Sequence, residues 1–257
     1  MEERKENITM NRVSTLYLSI IIPVFNEKEI LNQTIGDIDK YFIGKEDFLE
    51  FIIVNDNSTD ASMEIIRNKF TGRDHVRVID NKTRQGKALS IRDGVMIAEG
   101  KYVIFMDADL STPLKEIDRF FKYMKKGHDI IIGVRNERNK TTTVKRPISR
   151  RIVSRIYTAL CNILFFKGSI ADVGCGFKVF KKKIAQSLFL DLYIKSWVFD
   201  VEILSKALRN NYKIKEVPVE WIFKGPSSLN ILKDSVAAFF ALLRFKLFLI
   251  KNRRESR

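Results

Sequence analysis

Residues 16–27 read LYLSIIIPVFNE, a nearly unbroken apolar run that stops at Pro23 and the polar pair Asn26-Glu27. A strand with one wet face alternates apolar and polar side chains. A run that is greasy at almost every position belongs to a strand buried on both faces, as in a parallel sheet covered by helices. Four further stretches read as strands: FLEFIIVND (48–56), HVRVID (75–80), KYVIFMDAD (101–109) and HDIIIGVR (128–135). Helical stretches lie between them. One runs from the first strand through Tyr41. ASMEIIRNKF (61–70) follows Ser58 and Asp60 as possible caps, and GKALSIRDGVMIAEG (86–100) comes next. PLKEIDRFFKYMKKG (113–127) carries Pro113 in its first turn and Gly127 at its end. This alternation predicts an α/β fold: a doubly wound, mostly parallel sheet with helices on both faces.

The second half reads differently. Residues 136–146 form a polar loop, and 147–167 a helix that is basic at its start and apolar later. GCGFKVFKK (174–182) reads as a strand, SWVFDVEILSKALRNN (196–211) as a helix, and YKIKEVPVEWIF (212–223) as one or two strands. The chain closes on ILKDSVAAFFALLRFKLFLIK (231–251), an amphipathic helix, then KNRRESR. Three units are expected: a disordered tail over 1–15, one globular domain over 16–230, and a C-terminal interfacial helix with a basic tail over 231–257.

The 257 residues carry a net charge of +15, which points to an anionic partner: nucleic acid, a phosphorylated substrate or a membrane surface. There is no G-x-x-x-x-G-K-[ST] and no G-x-G-x-x-G after the first strand, which argues against a Walker-type NTPase or a classical dinucleotide dehydrogenase. The two cysteines, Cys161 and Cys175, have no metal-ligand spacing and fit a reducing compartment. The first fifteen residues hold no apolar core of a secretory signal.

In open parallel sheets, ligands bind beyond the carboxyl ends of the strands. Here those ends gather Glu27, Asp56, Asp80, Asp107 and Asp109. Taken as the end of an extended strand, Asp107 and Asp109 leave the same side of the chain. Two such carboxylates suit a hard divalent cation, Mg²⁺ or Mn²⁺, whose other positions go to water and substrate phosphate. On the acceptor side, residues 135–155 hold eight basic residues and one acid, Glu137. On a helix, Arg150 and Ser154 lie one turn apart, as do Arg151 and Arg155, making one basic face. Guanidinium groups grip phosphate oxygens with a geometry that lysine lacks.

Taken together, LSIIIPVFNE, VNDNSTD, RQGKALSIRDG, FMDADLS, IIGVR, DVGCGFKVF and SWVFDVEIL resemble the family 2 glycosyltransferases of the GT-A fold. Within that family the chain is similar to the polyprenyl-phosphate glycosyltransferases, more to the dolichyl-phosphate glucosyltransferase branch than to the mannose synthases. The resemblance spans roughly Leu16 to Asn230. It implies inverting transfer of one sugar, with UDP-glucose favoured, from a nucleotide-sugar donor to a polyprenyl-phosphate acceptor. Pro23, Phe25, Glu27, Asp56, Arg84, Lys87 and Asp107 would then bind the donor, with Asp107 and Asp109 as metal ligands. Arg135, Arg150 and Ser154 would hold the acceptor phosphate. Asp109, Arg135 and Arg150 would carry the reaction, and Asp172 and Asp200 are possible sugar contacts. The chain departs from the family pattern at three places. Ser111 stands where mannose synthases have a metal-holding glutamine, Val173-Gly174 replace Thr-Gln, and Gly225-Pro226-Ser227-Ser228-Leu229 is stretched and lacks a lysine.

A phosphate monoester is already ionised at neutral pH and needs holding, whereas a sugar hydroxyl needs a general base. Asp200 and Glu202 lie where related enzymes keep a base. Two residues apart on a helix they point about 200° apart, so at most one faces the site. The longest uncharged stretch of the last helix, Ser235 to Leu243, is too short to span a bilayer, which needs about twenty apolar residues. Lys233, Arg244 and Lys251 fall on one stripe, which suits a helix lying in the interface of an anionic membrane. A peripheral enzyme on the cytoplasmic face is therefore expected, with packing on the protein's own core or on a second copy as the other fates for this helix. Three further readings stay open: a mannose synthase using GDP-mannose, a transferase to a glycan hydroxyl, and a nucleic-acid-binding module. The last explains the charge but leaves the acidic strand ends unexplained, since they would repel a phosphate backbone.

Overall fold

The apolar runs become β1 (Leu18–Val24), β2 (Leu49–Asn55), β3 (Val76–Asp80), β4 (Tyr102–Phe105) and β5 (Ile130–Arg135), joined later by β6 (Lys178–Lys181) and β7 (Ile214–Val219). The computed structural model describes residues 16–45, 47–135, 147–224 and 231–255. The expected tail over 1–15, the polar loop over 136–146, the stretch 225–229 and the last two residues of the basic tail lie outside these. The strands form one seven-stranded sheet in the order β3-β2-β1-β4-β6-β5-β7. β1 pairs in parallel with β2 and β4, β2 with β3, and β5 with β7. β6 is antiparallel to both β4 and β5 and separates them.

The pleat sorts side chains to two cores. One face presents Ile21, Ile52, Val54, Val103, Phe105, Ile130 and Ile132. It is covered by α3 (Lys87–Ile97), α6 (Lys182–Phe189), α7 (Phe199–Arg209) and one side of α8 (Ile231–Glu255). The other presents Leu18, Ile20, Ile22, Phe51, Ile53, Tyr102 and Ile104 under α1 (Lys28–Phe42), α2 (Ser62–Phe70) and α4 (Glu116–Lys125). Every residue of β1, β2 and β4 is buried apart from the partly buried Pro23, as a strand sandwiched between two helical layers requires. α5 (Ile148–Cys161) runs on into a π-helical turn over Asn162–Phe166, which ends at Lys167 in the left-handed conformation.

Several local expectations are corrected. α4 begins at Glu116, and Pro113 instead opens the preceding turn, its carbonyl accepting from Glu116 N at 2.9 Å. Ser58 does not cap α2; its hydroxyl accepts from Asn26 N at 3.0 Å, while Asp60 accepts from Ser62 N at 2.9 Å. The strand expected over 174–182 shrinks to Lys178–Lys181 because Gly174–Phe177 is loop, and the residues after it form α6, a helix not expected from the sequence. Residues 212–223 give a single strand, β7.

Candidate active site

At the carboxyl ends of β1 and β2 the two following loops are stitched together. Thr59 N donates to Asn26 Oδ1 (2.8 Å), Glu27 N to Ser62 Oγ (2.9 Å) and Lys28 N to Asp60 Oδ2 (3.2 Å). Asn26 and Asn57 adopt left-handed backbone, with φ of 55° and 57°, which asparagine tolerates better than most residues. VNDNSTD thus receives the backbone of PVFNE. Asp56 is buried, and its two oxygens accept from Gln85 N and Gly86 N, both at 2.8 Å, at the start of α3. A carboxylate is favoured there because the first N–H groups of a helix have no partner within it. Asp56 therefore orients the Arg84–Lys87 loop. Arg84 in turn stacks over Phe25, its guanidinium carbon 3.9 Å from the ring centroid.

β4 ends at Phe105, so Asp107 and Asp109 stand in a turn beyond the strand, where Leu110 has φ 49°. The same-side argument from strand pleat does not apply to them. Asp107 pairs with Lys87. Asp109 accepts from Ser111 N (2.8 Å) and Ser111 Oγ (2.6 Å). Burial raises the Glu27 carboxyl above its ordinary pKa, and the charges of Asp109, Asp107 and Asp60 raise it further. Burial alone would lower the Lys87 ammonium, but Asp107, Asp200 and Asp109 outweigh it and hold that pKa up. Mutually repelling carboxylates beside one lysine are a donor set that a hard divalent cation relieves. No group of three or more metal-ligating side chains is preformed among the described residues, so such a cation would take Asp107 and Asp109 and draw its other ligands from water and phosphate.

The Asp172–Phe177 segment connects this end to the basic one. Arg135, at the end of β5, grips Asp172 with two 2.7 Å hydrogen bonds, Nε to Oδ2 and a terminal nitrogen to Oδ1. Burial alone would raise the Asp172 carboxyl, but the Arg135 charge and hydrogen bonds outweigh it and hold the pKa below the ordinary range. Arg135 also reaches Ser154 Oγ at 3.4 Å and lies 5.7 Å from the Trp221 ring. Arg150 is one turn earlier on α5 than Ser154 and is partly buried. The segment after β7 closes over the site: Ile222 N donates to Ser111 O at 2.7 Å and Lys115 pairs with Glu220 at 2.8 Å.

Sequence reading missed Lys178, which is fully buried at the start of β6. Its ammonium donates to the carbonyls of Val173 and Cys175 and lies 2.8 Å from Asp200 Oδ1. Its one signal is a lone lysine between Phe177 and Val179 in a stretch that otherwise reads as an apolar strand. Gly176 was also missed: a β-carbon there would stand 2.5 Å from Asp107 Oδ2, so any side chain would force that carboxylate out of its present position. Asp200 is buried, and burial raises its pKa despite the lowering influence of Lys178. Glu202 accepts from Tyr193 N (3.0 Å) and Ile194 N (2.6 Å) and pairs with Lys206. Three ion pairs thus run through the site: Lys87–Asp107, Lys178–Asp200 and Arg135–Asp172.

A mixed α/β sheet with an acidic D-x-D turn at its carboxyl edge is the arrangement of the GT-A fold. The chain matches the model of glycosyl transferase family 2 over residues 19–189 and belongs to that family. It is 31% identical over 248 residues to a dolichyl-phosphate beta-glucosyltransferase of Dictyostelium discoideum, covering 92% of this chain and 76% of that protein. It is 31% identical over 220 residues to one of Drosophila melanogaster, covering 80% and 67%. In fold it is similar to glucosyl-3-phosphoglycerate synthase from Mycobacterium tuberculosis, solved with Mn²⁺ and UDP-glucose, with a TM-score of 0.67 over 90% of this chain and 79% of that one at 17% identity. The chain is an enzyme of the glycosyltransferase class.

Proposed function

We propose that the protein transfers glucose from UDP-glucose, with inversion, to a membrane polyprenyl phosphate of the dolichyl or undecaprenyl type. The observation that carries this reading is the engagement of both carboxylates at the position where related enzymes keep a base. Asp200 is buried against Lys178, and Glu202 is taken up by two backbone N–H groups and Lys206. A hydroxyl acceptor would need one of them to accept a proton, whereas a phosphate acceptor is already ionised. The relatives named as dolichyl-phosphate glucosyltransferases support the same choice of sugar and lipid.

In this reading Phe25 and Arg84 form a flat, cationic platform for the nucleoside, with Pro23 and Glu27 beside it. Asp56 holds the loop that carries Arg84 and Lys87, and Lys87 is placed to meet a donor phosphate. Mg²⁺ or Mn²⁺, held by Asp107 and Asp109, would neutralise charge on the departing diphosphate. Arg135, Arg150 and Ser154 hold the acceptor phosphate in line, and Asp172 fixes the plane of the Arg135 guanidinium rather than touching sugar.

The lipid side is supported by exposed apolar side chains on α8 and on α5, the helix that carries Arg150 and Ser154. Ile148, Ile152 and Ile156 recur every four residues on α5, and Val236, Phe239, Phe240, Leu243 and Leu247 are exposed on α8. None of the helices among the described residues is long and apolar enough to cross a membrane. We therefore read α5 and α8 as lying on the cytoplasmic surface of a bilayer, where the acceptor phosphate sits. The test is transfer of radiolabel from UDP-glucose, UDP-N-acetylglucosamine or GDP-mannose to a polyprenyl phosphate, counted in the organic extract with Mn²⁺ present. Label from UDP-glucose alone, abolished in Asp109→Ala, is the expected result. Label from GDP-mannose would move the protein to the mannose branch, and donor binding without lipid label would move it to a hydroxyl acceptor.

A further inference from the structure

A groove of about 250 Å³ lies between α8 and the loop before α7, lined by Tyr193, Ile194, Lys195, Ser196, Ala241 and Arg244. Two of the six residues are cations, two carry hydroxyls and none is acidic. Both walls are braced. Glu202 holds the backbone N–H groups of Tyr193 and Ile194. Tyr193 stacks on Phe248 of α8 with centroids 4.4 Å apart and 20° between planes. Lys246 ties α8 to the carbonyl of Leu164 in the π-helical turn. The groove is therefore present before any ligand arrives.

Its rim is apolar. On α8, Phe240 and Phe248 flank Arg244 at one helical turn on either side, and Leu247 and Leu243 are beside it; all four are exposed. A ligand that fits carries an anionic head with hydrogen-bond acceptors and an apolar body directly attached. We propose that this groove seats the phosphate headgroup of an anionic phospholipid of the bilayer. The occupant is bulk lipid rather than the acceptor, because the acceptor phosphate is assigned above to Arg135, Arg150 and Ser154. The inference rests on the membrane-surface reading of α5 and α8. Lys195 O lies 3.5 Å from where a β-carbon on Gly86 would be, so the loop that holds the headgroup abuts the loop that carries Arg84 and Lys87. A headgroup in the groove fixes the height of the donor site above the bilayer.

The experiment is co-sedimentation of the full chain with vesicles of phosphatidylcholine alone and of phosphatidylcholine with phosphatidylglycerol. Wild type should prefer the anionic vesicles. The Lys195→Gln, Arg244→Gln double variant should bind them more weakly by about fivefold for each charge removed. UDP binding in the presence of Mn²⁺ should be unchanged, which establishes that the variant is folded. Lys233→Gln, Lys251→Gln removes two other charges of α8 and should have a clearly smaller effect. Equal losses from the two pairs would replace the seat with diffuse attraction and overturn it. Undiminished binding by the first pair would also overturn it while leaving the membrane reading intact. Failure of wild type to bind either vesicle, with transfer to polyprenyl phosphate retained in detergent, would overturn the seat and the membrane reading together but not the transfer reaction.

Discussion

Gly176 shows how one missing methyl group shapes the site. A β-carbon there would collide with Asp107 Oδ2 at 2.5 Å, and the backbone of Gly176 is not left-handed, so the conflict is with the carboxylate rather than with the main chain. Gly176→Ala should weaken Mn²⁺-dependent UDP binding by tenfold or more in calorimetry while shifting the thermal midpoint little. The Arg135–Asp172 pair makes the opposite expectation. Both side chains are nearly buried, and removing one partner of a buried pair leaves the other charge uncompensated. Asp172→Ala should lower unfolding stability by about 3 kcal/mol in urea titration, whereas Arg135→Met with Asp172→Leu should recover most of it and still abolish transfer. Lys178→Met follows the same logic for Asp200: stability falls, and replacing Asp200 by leucine in that background restores stability but leaves the carbonyls of Val173 and Cys175 without their donor.

At the scale of elements, α8 has two unlike sides. Ala238, Leu242 and Phe245 are buried in the same core as α7, while Phe240, Leu243 and Leu247 are exposed. Phe245→Ala should cost about 3–5 kcal/mol of stability, the usual loss for a large buried aromatic. Phe240→Ser with Leu247→Ser should leave the urea midpoint within about 0.5 kcal/mol of wild type, as surface changes do, and reduce sedimentation with vesicles. A drop in stability as large as that of Phe245→Ala would place the exposed side against protein instead. α5 divides in a comparable way: Ser154 faces Arg135, while Ile148, Ile152 and Ile156 are exposed.

For the whole molecule, the carboxyls set the response to acid. Asp172, Asp129, Asp60 and Asp80 have pKa values held below the ordinary carboxylate value. In Asp172 and Asp129 burial pushes upward but cations and hydrogen bonds outweigh it; in Asp80 the Asn55 hydrogen bond leads the lowering. A carboxyl with a depressed folded pKa contributes stability that is complete above its unfolded pKa and is lost as pH falls through the folded one. Glu27 and Asp200, raised by burial, act in the opposite sense and offset part of this. The more exposed pairs are screened and count for less. Urea midpoints should therefore be flat near neutrality and fall below the ordinary carboxylate range. The Asp172→Leu, Arg135→Met variant should show a shallower fall.

How much of this was legible in advance follows from the range of the interactions involved. The first five strands and the helices between them are written in local patterning, because burial on two faces removes polar residues from a strand whatever its partners, whereas α6 and the short extent of β6 are not. The sequence by itself thus determined the α/β class, the edge of the sheet where the acidic strand ends gather, and the helix on which Arg150 precedes Ser154 by one turn. Only the tertiary structure decided which charge meets which. β6 enters antiparallel between β4 and β5, which brings Lys178 to Asp200 and Asp172 to Arg135 across separations of 22 and 37 residues. Tertiary packing also turns Asp56 onto the backbone of Gln85 and Gly86 and makes Glu202 a structural brace. Such pairings depend on strand order and on how far each group is removed from water, and neither quantity has a signature in the residues adjacent to a charge.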